Sequence, residues 1–216
     1  MDQHYGKGII FDMDNTLLKS SIDFARMKQA IFSLLLENGC CQPDLDWQRH
    51  TASQLIELGR QSARMTERLE AQMWEAVAAV EKEGMHGAVL EDHAAEVLAA
   101  LHQRYRLYIL TNNACAAAQE ALQETGIAHY FAEIVGREQM AELKPSPSGV
   151  HYILQKHPEW PTAAWMMVGD SWIDGKAAQD AGIRFIAYQG EAQEMERRGV
   201  TPVVALSELR GLLAIC

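Results

Sequence analysis

Long apolar runs are missing from this 216-residue chain. No stretch approaches the roughly 20 apolar residues that cross a bilayer, so no membrane-spanning helix is expected. The first residues, Met1-Asp2-Gln3-His4-Tyr5-Gly6, lack the charged-then-apolar order of a secretory signal. Positive charge is in deficit, with 19 Lys and Arg against 29 Asp and Glu and a formal net charge of −10. That balance argues against general binding to nucleic acid or an anionic membrane, both of which call for basic patches. It leaves room for a locally positive pocket that takes a small phosphorylated ligand. Cysteine is sparse, at four, and none lies in a CxxC pair. Cys40 and Cys41 are adjacent and poor partners for each other, so they read, with Cys115 and Cys216, as reduced thiols and not as a disulfide framework or zinc site. The eight histidines show no metal-ligand spacing. These absences point to a cytoplasmic protein with neither nucleic acid nor membrane as partner, and they leave its oligomeric state open.

What is present is enough apolar residue, 48% of the chain, for an ordinary globular core. Gly8-Ile9-Ile10-Phe11 reads as a first strand. From about residue 88 onward strand and helix alternate. Leu107–Leu110, Glu133–Val135, Ala164–Val168, Arg184–Ala187 and Val203-Val204 are strand candidates. Ala114–Glu124, Pro147–Lys156, Ile173–Ala181 and Ser207–Leu213 are helical. Apolar strands separated by helices indicate a parallel sheet covered on both faces. Between about residues 18 and 87 no good strand is found. Helical patterns run over Ile22–Glu37, Trp47–Gly59 and Gln61–Lys82. The expectation is an α/β, Rossmann-like parallel-sheet core formed by 1–17 and 88–216, with a helical domain of 18–87 inserted after the first strand. Neither an internal repeat nor a low-complexity tract is found.

Four short segments at the ends of apolar runs carry the residues of a phosphoryl-transfer site. They are Asp12-Met13-Asp14-Asn15-Thr16, Thr111-Asn112-Asn113, Lys144-Pro145 and Gly169-Asp170-Ser171-Trp172-Ile173-Asp174. Ligands of parallel sheets bind beyond the carboxyl ends of the strands, where Asp12, Thr111 and Asp170 fall. A carboxylate at Asp12 can attack phosphorus and form an aspartyl-phosphate. Asp14, two residues on, can protonate the leaving alkoxide and then activate water. Thr111 and the amides after it, including Asn112, can bind phosphate oxygens at a helix start. Lys144 can neutralise charge on the transferring group. Asp170 suits magnesium together with Asp12, and Asp174 can ligate or act through water. Each segment also has a simpler structural role when taken alone: an Asx-type turn at Asp12–Asp14, a helix cap at Thr111, a solvated Lys144, and helix capping at Asp170 or Ser171. Their joint occurrence, in this order, favours the chemistry.

The set resembles the haloacid dehalogenase-like superfamily. Phe11–Leu17 is similar to its first motif, Leu110–Asn113 to its second, Lys144-Pro145 to its third and Gly169–Asp174 to its fourth. The helical insert resembles the cap of the phosphoglycolate-phosphatase and beta-phosphoglucomutase-like subgroup. The resemblance implies Asp12 as nucleophile, Asp14 as general acid/base, and Thr111 and Lys144 as phosphoryl-binding groups. It implies a Mg2+ site made by Asp12, the Asp14 main-chain carbonyl and Asp170, with Asp174 beside them. An aspartate at position 14 points to phosphate esters, because dehalogenases and phosphonatases do not keep one there. Asn15 departs from the glycine often found at its place. The implied activity is a magnesium-dependent phosphatase of a small phosphorylated metabolite, phosphoglycolate-like or a sugar phosphate. The alternatives are a phosphomutase and, more remotely, a noncatalytic regulatory protein. Arg60, Arg64 and Arg68, at i, i+4 and i+8, are expected on one helical stripe, either touching an anionic substrate or paired with Glu57, Glu67 and Glu70.

Overall fold

The computed structural model describes residues 6–216. Strand β1 (Gly8–Phe11) and the two-residue β2 (Leu18–Lys19) come first. Helices α1 (Phe24–Glu37), α2 (Ala52–Arg60) and α3 (Glu67–Met85) follow. The chain then runs through β3 (Val89–Leu90), α4 (Ala94–Leu101), β4 (Arg106–Leu110), α5 (Cys115–Glu124), β5 (Phe131–Val135) and α6 (Ser148–Leu154). It ends through β6 (Trp165–Gly169), α7 (Trp172–Asp180), β7 (Arg184–Tyr188), α8 (Ala192–Arg197), β8 (Val204–Leu206) and α9 (Leu212–Ile215). Two compact units result: Ser21–Gly87 is one, and the described residues on either side of it form the other. No helix of the described residues is long and apolar enough to cross a membrane.

Six strands of the larger unit form one sheet in the order β5-β4-β1-β6-β7-β8. Every pairing within it is parallel, which confirms the α/β, Rossmann-like expectation. The four residues of β1 and the five of β6 are all buried, so these central strands need apolar side chains on both faces. On one face, Ile10, Tyr108, Leu110, Trp165, Met167 and Phe185 pack with Val150 and Ile153 of α6 and Ala177 and Ala178 of α7. Their neighbours Ile9, Phe11, Leu107, Ile109, Met166 and Val168 have the opposite parity, and they are buried as well. Gly8 is required by close approach: a Cβ there would lie 2.1 Å from the Trp165 ring.

In the helical unit, α1 buries Met27, Ile31 and Leu35, a spacing that keeps one face inward. Its N-cap Asp23 accepts the Arg26 N–H at 2.9 Å. Helix α3 buries Leu69, Met73, Val77 and Val80. It starts at Glu67, later than the expected Gln61. Thr66 accepts the Leu69 N–H at 3.1 Å as its cap, while the Gln61 and Ser62 amides close off α2. Arg60 therefore belongs to α2 and Arg68 to α3, with Arg64 in the turn between them, and the expected single stripe does not exist. Of the two roles expected for these arginines, Arg60 shows the pairing, with Glu70 at 2.6 Å and Glu57 at 3.3 Å. Strands β2 and β3, which pair antiparallel, are absent from the sequence-based expectation, because two residues are too few to show a period. Helices α4 and α8 are likewise additions to the expected pattern.

His157 links α6 to the sheet. Its Nε2 lies 2.5 Å from the Tyr108 hydroxyl, and its ring stacks on Trp160 with centroids 4.4 Å apart. Burial, aided by the Arg106 charge, holds its pKa below the ordinary imidazole value. The unfolded chain therefore takes up this proton first. Its contribution to stability is whole above about pH 6.5 and shrinks as the pH falls below that value. The melting temperature of His157→Gln is expected to fall less than that of the parent between pH 7 and pH 5 in thermal-melt measurements; equal slopes would contradict the assignment.

Candidate active site

Asp12, Thr111 and Asp170 each stand one residue past a strand, at the carboxyl ends of the neighbouring β1, β4 and β6. Asp12 remains tied to the sheet through its N–H, which donates to the Val168 carbonyl at 2.9 Å. Beyond it the chain turns sharply. The Met13 carbonyl accepts the Leu17 N–H at 2.9 Å and the Leu18 N–H at 3.0 Å. Asn15 takes a φ of +54°, a left-handed conformation that Asn tolerates better than most residues. Asparagine can thus replace glycine at this point. The turn leaves Asp12 and Asp14 buried, at 7% and 8% exposure.

Lys144 arrives from a loop before α6 and is only 1% exposed. Its ammonium donates to Asp12 Oδ1 at 2.6 Å, Asp174 Oδ1 at 2.7 Å and the Leu110 carbonyl at 2.8 Å. Burial alone would pull its pKa down. The Asp12 and Asp174 carboxylates outweigh burial and hold it above the ordinary lysine value. Asn112 fixes the lysine backbone with two bonds. The Lys144 N–H donates to Asn112 Oδ1 at 2.9 Å, and Asn112 Nδ2 donates to the Lys144 carbonyl at 3.0 Å. The Asn112 side chain is thus engaged in holding Lys144, and the expected phosphate contact of Asn112 rests on its main-chain N–H. The Lys144-Pro145 peptide is cis.

Thr111 is 1% exposed. Its Oγ1 accepts the Asn113 N–H at 3.1 Å, which leaves the hydroxyl hydrogen for donation. It does not cap α5, whose N-cap position is Ala114. Asp174 sits in the first turn of α7, where its Oδ2 accepts the Ser171 N–H at 3.1 Å. Helix capping and the site therefore use the two oxygens of one carboxylate. Gly169 makes room for it, since a Cβ there would lie 2.5 Å from the Asp174 Cγ.

Asp12, Asp170 and Asp174 each offer one oxygen, and these oxygens lie within 4.8 Å of one another. Burial, reinforced by the Asp12 charge, pushes the Asp170 and Asp174 carboxyls above the ordinary range, against the pull of Lys144. Hard oxygen donors that repel one another suit a small divalent cation. The Asp14 carboxylate is not one of the three. Its Oδ2 accepts Asn113 Nδ2 at 2.7 Å. Burial, with the Asp12 charge, raises it to about 6, and Ser20, Asn113 and Lys144 ease the rise. Asn113 does so through a formed hydrogen bond.

The structure thus brings together Asp12, Lys144, Asp170 and Asp174, and it ties Asp14 to the segment after Thr111. The chain matches the family model of the haloacid dehalogenase-like hydrolase over residues 9–188. The chain belongs to that family. A phosphoglycolate phosphatase of Aliivibrio fischeri (strain ATCC 700601 / ES114) is 31% identical over 97% of this chain and 96% of its own length. One from Vibrio vulnificus (strain YJ016) is 40% identical over 40% of this chain, a match that spans 38% of that protein. Among solved structures, a predicted phosphoglycolate phosphatase from Haemophilus somnus 129pt shares the fold with a TM-score of 0.68. It is 22% identical, with 99% of both chains covered. The resemblance seen in the four motifs is confirmed at the level of the family.

Two features escaped the sequence reading. One is the Asn112 clamp on Lys144, and the other is the bond from Asn113 to Asp14. The adjacent Asn pair after Thr111 was the available signal. Replacing Lys144 with Met should leave two buried carboxylates without their cation, a loss of about 3 kcal/mol. Urea unfolding at pH 7.5 should show that loss. Part of it should return toward pH 5, where protonation relieves the repulsion.

Proposed function

We propose that the chain is a magnesium-dependent phosphatase that hydrolyses a small phosphate monoester of the phosphoglycolate class through an aspartyl-phosphate on Asp12. The observation that carries this reading is the convergence of Lys144 on Asp12 at 2.6 Å with three carboxylates whose oxygens lie within 4.8 Å of one another. The curated relatives supply the substrate class, since those matched over most of their length are named phosphoglycolate phosphatases.

In this reading Lys144 fixes the orientation of the Asp12 carboxylate through Oδ1 and offsets the charge of the phosphoryl group. An Asp12 oxygen attacks phosphorus as the bond to the leaving oxygen breaks. The Asp14 proton passes to that oxygen and releases the alcohol. Asp14, now a carboxylate, takes a proton from water as the water oxygen attacks phosphorus. The bond to Asp12 breaks, inorganic phosphate leaves, and both carboxyls return to their starting states. Thr111, with the N–H of Asn112, binds phosphate oxygens.

Asp12 and Asp170 would hold Mg2+, with the Asp14 main-chain carbonyl. Asp174, whose two oxygens already accept from Lys144 and Ser171, orients the set. When bound, the ion supplies charge stabilisation to the transferring phosphoryl group. Residues 18–87 serve as the cap of this fold, inserted into a core of 1–17 and 88–216. A cytoplasmic location belongs to the same reading, in keeping with Cys40, Cys41, Cys115 and Cys216, none of which is in a disulfide.

Phosphate release from a panel of phosphorylated metabolites, with Mg2+ present, tests the proposal. Turnover of 2-phosphoglycolate or a close analogue is expected. Interconversion of sugar phosphates without phosphate release would favour a mutase. Asp12→Asn should lower turnover by about a thousandfold or more, because an amide cannot form the acyl-phosphate. Removal of Mg2+ with EDTA should silence the enzyme and added Mg2+ restore it; turnover in EDTA would exclude the ion site.

A further inference from the structure

The Asp14 carboxyl is held unequally. Its Oδ2 accepts Asn113 Nδ2 at 2.7 Å, while its Oδ1 is buried and has no hydrogen-bond partner. A protonated carboxyl has one acceptor oxygen and one that carries hydrogen. A donor bound at Oδ2 marks that oxygen as the acceptor, so the proton belongs on Oδ1. Asn113 is well placed to enforce this. It is buried, at 5% exposure. Its N–H donates to Thr111 Oγ1 at 3.1 Å, and its carbonyl accepts the Arg137 N–H at 3.0 Å. The side chain thus stands on a backbone fixed at both polar groups, and it spans 99 positions of sequence to reach Asp14.

We infer that Asn113 is a positioning residue that pins Oδ2 of Asp14, so that Oδ1 delivers the proton to the leaving oxygen of the substrate. This goes one step beyond the general-acid role of Asp14 and rests on it. The transfer adds no atoms: the Oδ1–H bond breaks as the bond between phosphorus and the leaving oxygen breaks, and the alcohol forms. Without the amide the carboxyl can rotate or present the wrong oxygen. The loss then falls on substrates that need the proton. Alkyl phosphates, whose leaving alkoxides are strongly basic, need it. p-Nitrophenyl phosphate, with a weakly basic leaving group, needs it far less.

The test compares kcat/KM of Asn113→Ala for 2-phosphoglycolate, or another alkyl phosphate that the parent turns over, with its kcat/KM for p-nitrophenyl phosphate. In a reaction through a covalent intermediate kcat/KM reports only the steps up to release of the first product, so water activation by Asp14 does not enter it. The ratio of alkyl to aryl activity is expected to fall about tenfold. A misfolded fraction cancels from that ratio, and Asn113→Ser serves as a second variant if the alanine form is inactive on both esters. An unchanged ratio in an active variant would show Asn113 to be merely structural and overturn the inference. Asp14→Asn run alongside separates the two levels. If it lowers the ratio while Asn113→Ala does not, the positioning role fails and the role of Asp14 stands. If it lowers both esters equally, the reading of Asp14 itself fails. The double variant should have the ratio of Asp14→Asn alone, because the amide has nothing left to position; a further fall would also overturn the inference.

Discussion

One buried ammonium group governs the carboxyl end of the sheet. Lys144 is almost wholly removed from water, and its charge is held by Asp12, Asp174 and the Leu110 carbonyl. Each of these groups needs the others. A buried lysine without carboxylates would lose its proton, and buried carboxylates without a cation would take protons up. The cluster fixes the distance between the loop before α6, the end of β1 and the start of α7. The surrounding details serve it: the Asn112 clamp on the lysine backbone, and the missing Cβ at Gly169 that admits the Asp174 side chain.

The sheet makes that cluster reachable. Strand β1 lies between β4 and β6, so the chain leaves it toward one edge and later returns to its other side. Residues just past β1, β4 and β6 are then neighbours at one rim, whatever their separation in sequence. The rim is partly neutralised by Lys144 and otherwise acidic. Its carboxyls are pushed up by burial and by one another, which is the condition in which a cation and a phosphate dianion bring mutual relief. A protein with a net charge of −10 can in this way serve an anionic substrate: the local arrangement of charge decides the matter.

Much of the fold was legible because its strands are short, mostly apolar and bounded by polar turns. Gly8–Phe11 and Trp165–Gly169 announce themselves in this way. Elements without a period did not. Strands β2 and β3 are two residues each, and α4, Ala94–Leu101, is almost uniformly apolar, so its buried face of Ala94, Val97, Leu98 and Leu101 does not stand out from the residues around it. The break at Thr66 was hidden inside a long helical pattern that its cap interrupts, and with it went the expected stripe of arginines. At the site, the residue types that bear charge were visible. Asn112 and Asn113 appeared only as companions of Thr111, because an amide side chain acquires its meaning from what it bonds, and both partners lie far away in sequence.

The sequence by itself determined the alternation of strand and helix, the membership of the four motifs, and the family to which they belong. Local apolar pattern and short-range spacing carry that information without any tertiary contact. Only the tertiary structure decided which oxygen meets which hydrogen. It set Lys144 between Asp12 and Asp174, gave Asp174 one oxygen for the helix start and one for the lysine, and tied Asn113 to a single oxygen of Asp14. The bonds of Lys144 to the two carboxylates and of Asn113 to Asp14 are made across gaps of 30 to 132 residues. At such distances hydrogen-bond geometry and the cost of an unpaired buried charge select the partner, and no local pattern records the choice.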